Sequence, residues 1–133
     1  MDLIRVFEEL LPDVDIFDSD ATGAATYPYV LVLSTTNDRG REAVISGEGV
    51  ADRVIVRVVG VQAEQARRLL LWVRKQLGSL NLTRDGVNLQ LRWDGSPRPP
   101  QVDRTIMLEG SNTNPVFIDD EYEAYWQGEQ SCL

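Results

Sequence analysis

The fold is decided by the stretch VADRVIVRVVGVQAEQARRLLLWVRKQLGSL, residues 50–80, which passes from a strand pattern to a helix pattern almost without a linker. Its first part alternates between two faces, as a β-strand does. One face carries Val54, Val56 and Val58, and the other carries Ile55, Arg57 and Val59. Gly60 breaks the alternation, and Gln62 opens a pattern of apolar residues at helical spacing. The predicted core stripe of this helix is Ala63, Ala66, Leu69 or Leu70, Val73 and Leu77.

The other side of the same helix is polar and basic. We expect Arg67, Arg68, Arg74 and Lys75 to lie largely on its exposed side. Glu64 and Arg68 stand four residues apart in the favourable order for an ion pair, and Gly78 suits the C-terminal cap. No residue of the whole stretch is an evident nucleophile, base or metal ligand.

The chain before this stretch predicts one helix and two strands. Residues 2–11 form an amphipathic pattern that Asp2 can cap and Pro12 ends. A short apolar run at residues 14–17 predicts an edge strand. YPYVLVLSTT, residues 27–36, predicts a buried strand that returns through the turn sequence NDRG into residues 41–59. These two segments form a predicted antiparallel hairpin, whose return arm bends at Gly47 and Gly49.

The chain after the stretch predicts two more strands. VNLQLRW, residues 87–93, alternates as a strand does, and a proline-rich loop follows it. Residues 114–126 predict a last strand in which Tyr122, Ala124 and Trp126 share one face. The predicted fold class is therefore α+β: a mainly antiparallel sheet of about four to five strands, with two helices packed on one face. We expect one domain over residues 1–133, with a flexible hairpin arm at about 37–49 and a proline-rich loop at about 94–104.

Composition excludes several classes of function. The chain has no histidine, which removes the commonest general base and metal ligand. Cys132 is the only cysteine, so neither a disulfide within the chain nor a cysteine-rich metal site can form. The net charge of −8 disfavours binding to phosphate backbones. No apolar run approaches the roughly 20 residues of a membrane span, and we expect no membrane association, metal or cofactor.

Carboxylates and hydroxyls leave a small enzyme as one alternative. The densest acidic group is Asp119, Asp120, Glu121 and Glu123, which suits either oxygen-ligand metal binding or, as we favour, a solvated entry to the last strand. A second acidic group, Asp13, Asp15, Asp18 and Asp20, is explained more simply as charge that protects an edge strand. The hydroxyls of Ser34, Thr35, Thr36 and Ser46 would need the only lysine, Lys75, or a carboxylate as base.

Twelve of the thirteen basic residues are arginine, the cation that protein interfaces favour because its planar fork pairs well with carboxylates. Many of them stand around the hairpin and the late loops. A self-assembling subunit, in which acidic patches of one copy meet arginines of the next, would carry such a surface. A merely soluble surface explains the same composition.

The order of the elements and their amino-acid sequences resemble those of the tail terminator proteins of long-tailed phages, a minor tail and neck protein family. The segments that carry the resemblance are YPYVLVL, then VADRVIVRVVGV leading straight into QAEQARRLLLWVRKQLGSL, and the closing DEYEAYW. The resemblance covers nearly the whole chain and implies a structural virion protein without enzymatic activity. It implies a ring, usually of six copies, that caps the tail tube and joins it to the head connector, or stopper, protein.

The resemblance also implies where such a subunit works and what it meets. The protein would lie in the tail or neck of the virion, after a stage in the host cytoplasm, and DNA would pass through the ring without specific binding. Candidate contacts to the next subunit or the tube are Arg39, Arg41, Arg53, Arg57, Arg98 and Arg104. Candidate residues of an acidic lumen are Asp18, Asp20, Asp38 and Glu42. A head-completion or connector adaptor of the phage neck is the alternative within the same class.

Overall fold

The computed structural model describes residues 2–18, 26–34, 50–108 and 113–128. Within these ranges the chain forms two helices and seven strands. In chain order they are α1 (Leu3–Leu10), β1 (Asp15–Asp18), β2 (Tyr29–Ser34), β3 (Val50–Gly60), α2 (Ala63–Leu77), β4 (Asn81–Arg84), β5 (Val87–Gly95), β6 (Gln101–Val102) and β7 (Val116–Gly128). The strands join in one sheet with the order β1-β2-β3-β7-β5-β4, and β6 pairs with β7.

The long strand β7 is the centre of this sheet. On one side it pairs antiparallel with β3, from Val50 opposite Trp126 to Gly60 opposite Val116. On the other side it pairs with β5 and, near its start, with β6. The predicted hairpin partners β2 and β3 are also antiparallel neighbours. The hairpin arm at about 37–49 lies outside the described residues, so its predicted shape stays a prediction.

The predicted number of strands is wrong, because the sheet has seven strands in the described residues rather than about four to five. The sheet is mainly antiparallel, as predicted, but not purely so, because β1 runs parallel to β2. A four-residue strand carries no signal for its direction. The extra strands β4 and β6 are too short to show alternation.

The strand β4 nevertheless had a sequence signal of another kind. Asp85 and Gly86 both have positive φ angles, 52° and 78°. A two-residue loop with positive φ at both positions is a type I′ turn, for which Asp-Gly is a preferred pair. The Asp-Gly pair between residues 84 and 87 therefore predicts the β4–β5 hairpin. The alternation of β5 predicts only the second strand of this hairpin.

Both helices pack on one face of the sheet, as predicted. The core between them contains the predicted valine face of β3, and it contains Ala66, Leu69, Leu70, Val73 and Leu77 of α2. The N-cap of α1 is Asp2, whose Oδ1 accepts a hydrogen bond from the Ile4 amide at 3.0 Å. Gly78 is the C-cap of α2.

Helix α1 links the two edges of the curled sheet. It packs against the edge strand β1. Near its end, Glu9 forms a 2.5 Å ion pair with Arg84 in β4, the opposite edge. The hydrogen bond from Arg84 lowers the pKa of Glu9 below its ordinary value. Because both partners are largely exposed, this pair orients the helix more than it stabilises the fold.

The direct passage from β3 into α2 depends on Gly60. A Cβ atom at this position would lie 2.9 Å from the Ala66 backbone nitrogen and 3.3 Å from its Cα. We expect Gly60→Ala to lower the free energy of unfolding by about 1–3 kcal/mol, because the helix must shift to admit the methyl group. Urea unfolding measures the change. The control is Val61→Ala at the adjacent, 39% exposed position, where we expect a change within about 0.5 kcal/mol; equal losses in both variants would contradict the packing argument.

Candidate assembly surfaces

An ion pair in the core attaches α2 to the central strand. Asp120 lies on the helix-bearing face of β7 and is fully buried. The Arg74 guanidinium donates to both of its oxygens, from Nε to Oδ2 at 3.1 Å and from Nη2 to Oδ1 at 3.0 Å. The Ser96 hydroxyl also donates to Asp120. On its other side, the Arg74 guanidinium lies 4.2 Å from the centre of the Trp93 ring. Two side chains therefore bind the buried carboxylate, Arg74 from α2 and Ser96 from the segment after β5, and Trp93 of β5 lies against the guanidinium.

This arrangement corrects two expectations. Arg74 was expected on the exposed side of α2, and Asp120 in a solvated strand entry. The period of the last strand predicts the true position of the carboxylate, because Asp120 stands two residues from Ile118 and two from Tyr122, both of which are in the core. The density of charge around Asp120 hid this signal. The expectation holds for Glu123, which is exposed.

Removing Arg74 would leave an unpaired buried carboxylate. We expect Arg74→Met to lower the free energy of unfolding by about 3–5 kcal/mol, measured by urea denaturation. Arg68→Met on the same helix is the matched control, because the Arg68–Glu64 pair is exposed and is expected to contribute about 0.3–0.5 kcal/mol.

A second substitution, at Asp120, distinguishes two causes of the lost stability: an unpaired buried charge and a simple loss of packing. We expect the double variant Arg74→Met with Asp120→Leu to recover much of the stability lost in Arg74→Met alone, because no buried charge remains. Similar losses in Arg74→Met and Arg68→Met would show that the buried pair is not what attaches the helix.

Tyr122 places a second polar group beside this pair. Its side chain is 1% exposed, and its hydroxyl has no hydrogen-bond partner among the residues that the structure describes. Burial, and to a smaller extent the nearby Asp120 charge, raise the pKa of Tyr122 far above its ordinary value of 10.0. The folded protein therefore keeps this phenol neutral at pH values where the unfolded chain ionises it.

Because the pKa of Tyr122 is raised in the folded state, the stability of the protein depends on pH in the alkaline range. As the pH rises above about 10, ionisation of Tyr122 in the unfolded state lowers the free energy of unfolding, so the stability present below that pH is progressively lost. We expect Tyr122→Phe to be neutral or stabilising by about 1 kcal/mol at pH of about 8, and to lose less stability than the wild type between about pH 10 and 11. Urea titrations at several pH values test this. Tyr125→Phe, at a 37% exposed position of the same strand, is the control and should leave the alkaline loss unchanged.

The opposite face of the sheet, which we call the helix-free face, carries a second ion pair. Arg57 on β3 donates to Asp119 on β7 through Nε at 2.7 Å and Nη2 at 3.0 Å. Its guanidinium also lies 4.2 Å from the centre of the Phe117 ring. The Asp119 hydrogen bonds raise the pKa of Arg57, against the opposing effect of burial. Beside this pair, Tyr29 contacts the rings of Phe17 and Tyr27 with centroid distances of 5.6 and 5.4 Å.

The predicted contact arginines lie in different places. Arg53 and Arg57 share the helix-free face, where Arg53 bonds Glu121 at 3.3 Å and its side chain is 63% exposed. Arg98 and Arg104 are exposed in the loops on either side of β6, and neither forms an ion pair with a described residue. The lumen candidate Asp18 is exposed at the end of β1. The remaining candidates, Arg39, Arg41, Asp20, Asp38 and Glu42, lie outside the described residues.

The partly buried Arg57–Asp119 pair changes how the contact prediction can be tested. Charge reversal at Arg57 would place two carboxylates together and disturb the sheet itself. A loss of assembly in that variant would not identify an interface.

Several large apolar side chains are exposed, and sequence reasoning did not identify them. Leu71 on α2 is 59% exposed and Met107 is 61% exposed. The other members of this group among the described residues are Val61, Trp93, Val102, Ile106 and Tyr125. Periodicity identifies residues that face the core, but an apolar residue on the opposite side of a helix carries no separate signal.

Some of the groups that an enzyme could use can be located in the described residues. One open pocket of about 240 Å³ is lined by Asp52, Arg53, Asp94, Tyr122 and Glu123. Within the described ranges, no three Asp, Glu or Cys side chains converge as metal ligands would. Of the candidate nucleophiles, Thr35, Thr36 and Ser46 lie outside the described residues, and Lys75 is exposed on α2. No helix in the described part of the chain combines the length and apolar character needed to cross a bilayer.

Comparison with known proteins shows a similarity of fold but no match to a sequence family. No protein-family model matches the chain, and no curated protein matches it. Among solved structures, it is similar to a chain in the virion of the native gene transfer agent (GTA) particle, with a TM-score of 0.56 and 18% sequence identity. The match covers 92% of this chain and 85% of that chain. Nearly the whole domain therefore shares its fold with a component of a virion particle.

Proposed function

We propose that the protein is a structural subunit of a phage-like virion and that it acts as the tail terminator. In this role, a ring of six copies caps the tail tube and joins it to the head connector protein. The proposal includes no catalytic role, metal or cofactor. The protein would reach the virion neck from the host cytoplasm.

The observation that carries the proposal is the fold shared with a chain of the GTA virion particle along 92% of this chain. The segments that resemble tail terminators form β2, the passage from β3 into α2, and β7. The sequence resemblance supports the finer assignment, and the fold likeness supports the broader class of virion structural protein.

The surface of the subunit suits a ring. A closed ring of identical copies needs two different patches on each copy, because the contact is head-to-tail. Arg98 and Arg104 are exposed cations that make no ion pair with any described residue, so they remain available to a neighbour's carboxylates. A net charge of −8 suits a lumen through which DNA passes without binding, since like charges repel.

The mass of the purified protein in solution tests the ring. We expect light scattering at low ionic strength to detect a discrete species of about six times the subunit mass of 15.0 kDa, at concentrations where a closed ring is favoured over open chains. Negative-stain images of that species should show rings with a central opening. A protein that stays monomeric at every concentration and salt level, and also when mixed with tail tube protein, would contradict the proposal.

A binding experiment separates the terminator from the connector adaptor. A terminator ring should co-sediment with assembled tail tubes. A head-completion or adaptor protein should instead bind the portal side of the neck, and binding there without tube binding would replace the finer assignment while leaving the virion role intact.

A further inference from the structure

The exposed side of α2 carries a stripe of two cations and one apolar residue. Arg67, Leu71 and Lys75 stand four residues apart, so they form one line of about 12 Å along the helix. All three are exposed, and Leu71 is 59% exposed. At about 100° per residue, this line lies on the side of the helix away from the buried Val73 and Leu77. We call these three residues the basic stripe.

The basic stripe is not neutralised within the subunit. The other two cations of α2 are paired, Arg68 with Glu64 and Arg74 with Asp120. Arg67 and Lys75 form no ion pair with any described residue. Two cations without an ion pair therefore flank an exposed leucine on a chain whose net charge is −8. This surface has the composition of a contact that recognises an acidic surface and buries one apolar side chain.

The same chain has such an acidic surface elsewhere. Where α1 passes into β1, Glu8, Asp13 and Asp15 are exposed, and none forms an ion pair with a described residue. Pro12 is exposed among them and offers an apolar contact. Segment 2–18 has six carboxylates and a single arginine, and of these carboxylates Glu9 is already paired with Arg84. We call Glu8, Pro12, Asp13 and Asp15 the acidic corner.

We infer that the basic stripe of one copy docks on the acidic corner of the next copy. This inference rests on the proposed ring and specifies one of its contacts. The two surfaces are different patches of one subunit, as a head-to-tail contact requires. Charge complementarity selects the orientation, and burial of Leu71 adds apolar contact at the centre of the stripe. Salt should weaken the contact, because these charges are exposed.

Charge exchange between two variants tests direct contact. One variant reverses the stripe, Arg67→Glu with Lys75→Glu, and the other reverses the corner, Asp13→Lys with Asp15→Lys. All four positions are exposed, so thermal unfolding midpoints should stay near that of the wild type. We expect each variant alone to self-associate about tenfold or more weakly than the wild type in sedimentation at low salt. An equal mixture should regain assembly, because each reversed patch then meets a complementary one.

Net charge alone predicts a different result. The corner variant moves the net charge from −8 toward zero, so if general repulsion limited assembly, this variant would associate better than the wild type. Arg92→Glu, a reversal on the helix-free face, is the control for an exposed arginine outside the stripe and should leave assembly unchanged.

The possible outcomes distinguish this inference from the proposed function. Weak assembly of both variants together with recovery in the mixture supports the contact. Rings that form equally well from wild type and both variants overturn the contact and leave the ring proposal standing. Two weakened variants that do not recover when mixed overturn direct contact between these patches. A wild type that never assembles, alone or with tube protein, overturns the ring and the contact together.

Discussion

A charged carboxylate buried in the middle of the central strand is the constraint on which the arrangement of the other elements depends. Asp120 has no access to water, and an unpaired ion in such a position costs several kcal/mol. Helix α2 must therefore lie where Arg74 can reach both oxygens, and the chain after β5 must bring Ser96 to the same group. The apolar stripe sets which side of the helix meets the sheet. The two-point hydrogen bond adds a directional contact that disfavours other positions of the helix, because they would leave the buried carboxylate unpaired.

Two adjacent carboxylates give β7 a different partner on each face. Asp120 points to the helix-bearing face and binds Arg74, whereas Asp119 points to the helix-free face and binds Arg57 of β3. A slip of β7 by one residue would place Asp119 in the core and Ile118 on the opposite face. Both arginines bind with two donors and lie on an aromatic ring, Trp93 or Phe117. The central strand is thus held in register by charge as well as by its hydrogen bonds to β3 and β5.

Sequence patterns predicted the parts of the fold where one periodicity runs over many residues. The valine face of β3 and the core stripe of α2 are examples, and both are in the core as expected, except that Ala63 at the start of α2 is only partly buried and lies outside the core. The direction of β1 and the pairing of the short strand β6 were not predictable in this way. These strands have four and two residues, which are too few to show a period. The burial of Asp120 follows from its place in the alternation of β7. Its neighbours in the sequence are also acidic, and this local composition favoured an exposed position. Arg74 lies toward the core because it binds Asp120, which is 46 residues away in the sequence. A local sequence pattern does not contain this partner.

Arginine content is a weaker argument for assembly than composition suggests, because the subunit itself uses many of these residues. The arginines that form ion pairs with described residues are Arg53, Arg57, Arg68, Arg74 and Arg84. Cations without such a pair are therefore the ones that a neighbour can neutralise. The buried apolar stripe and the pairing of Arg74 together set the rotation of α2, and this rotation leaves Arg67 and Lys75 exposed. In the proposed ring, folding and assembly would then depend on the same buried carboxylate, because it helps to orient the helix whose opposite side would meet the partner.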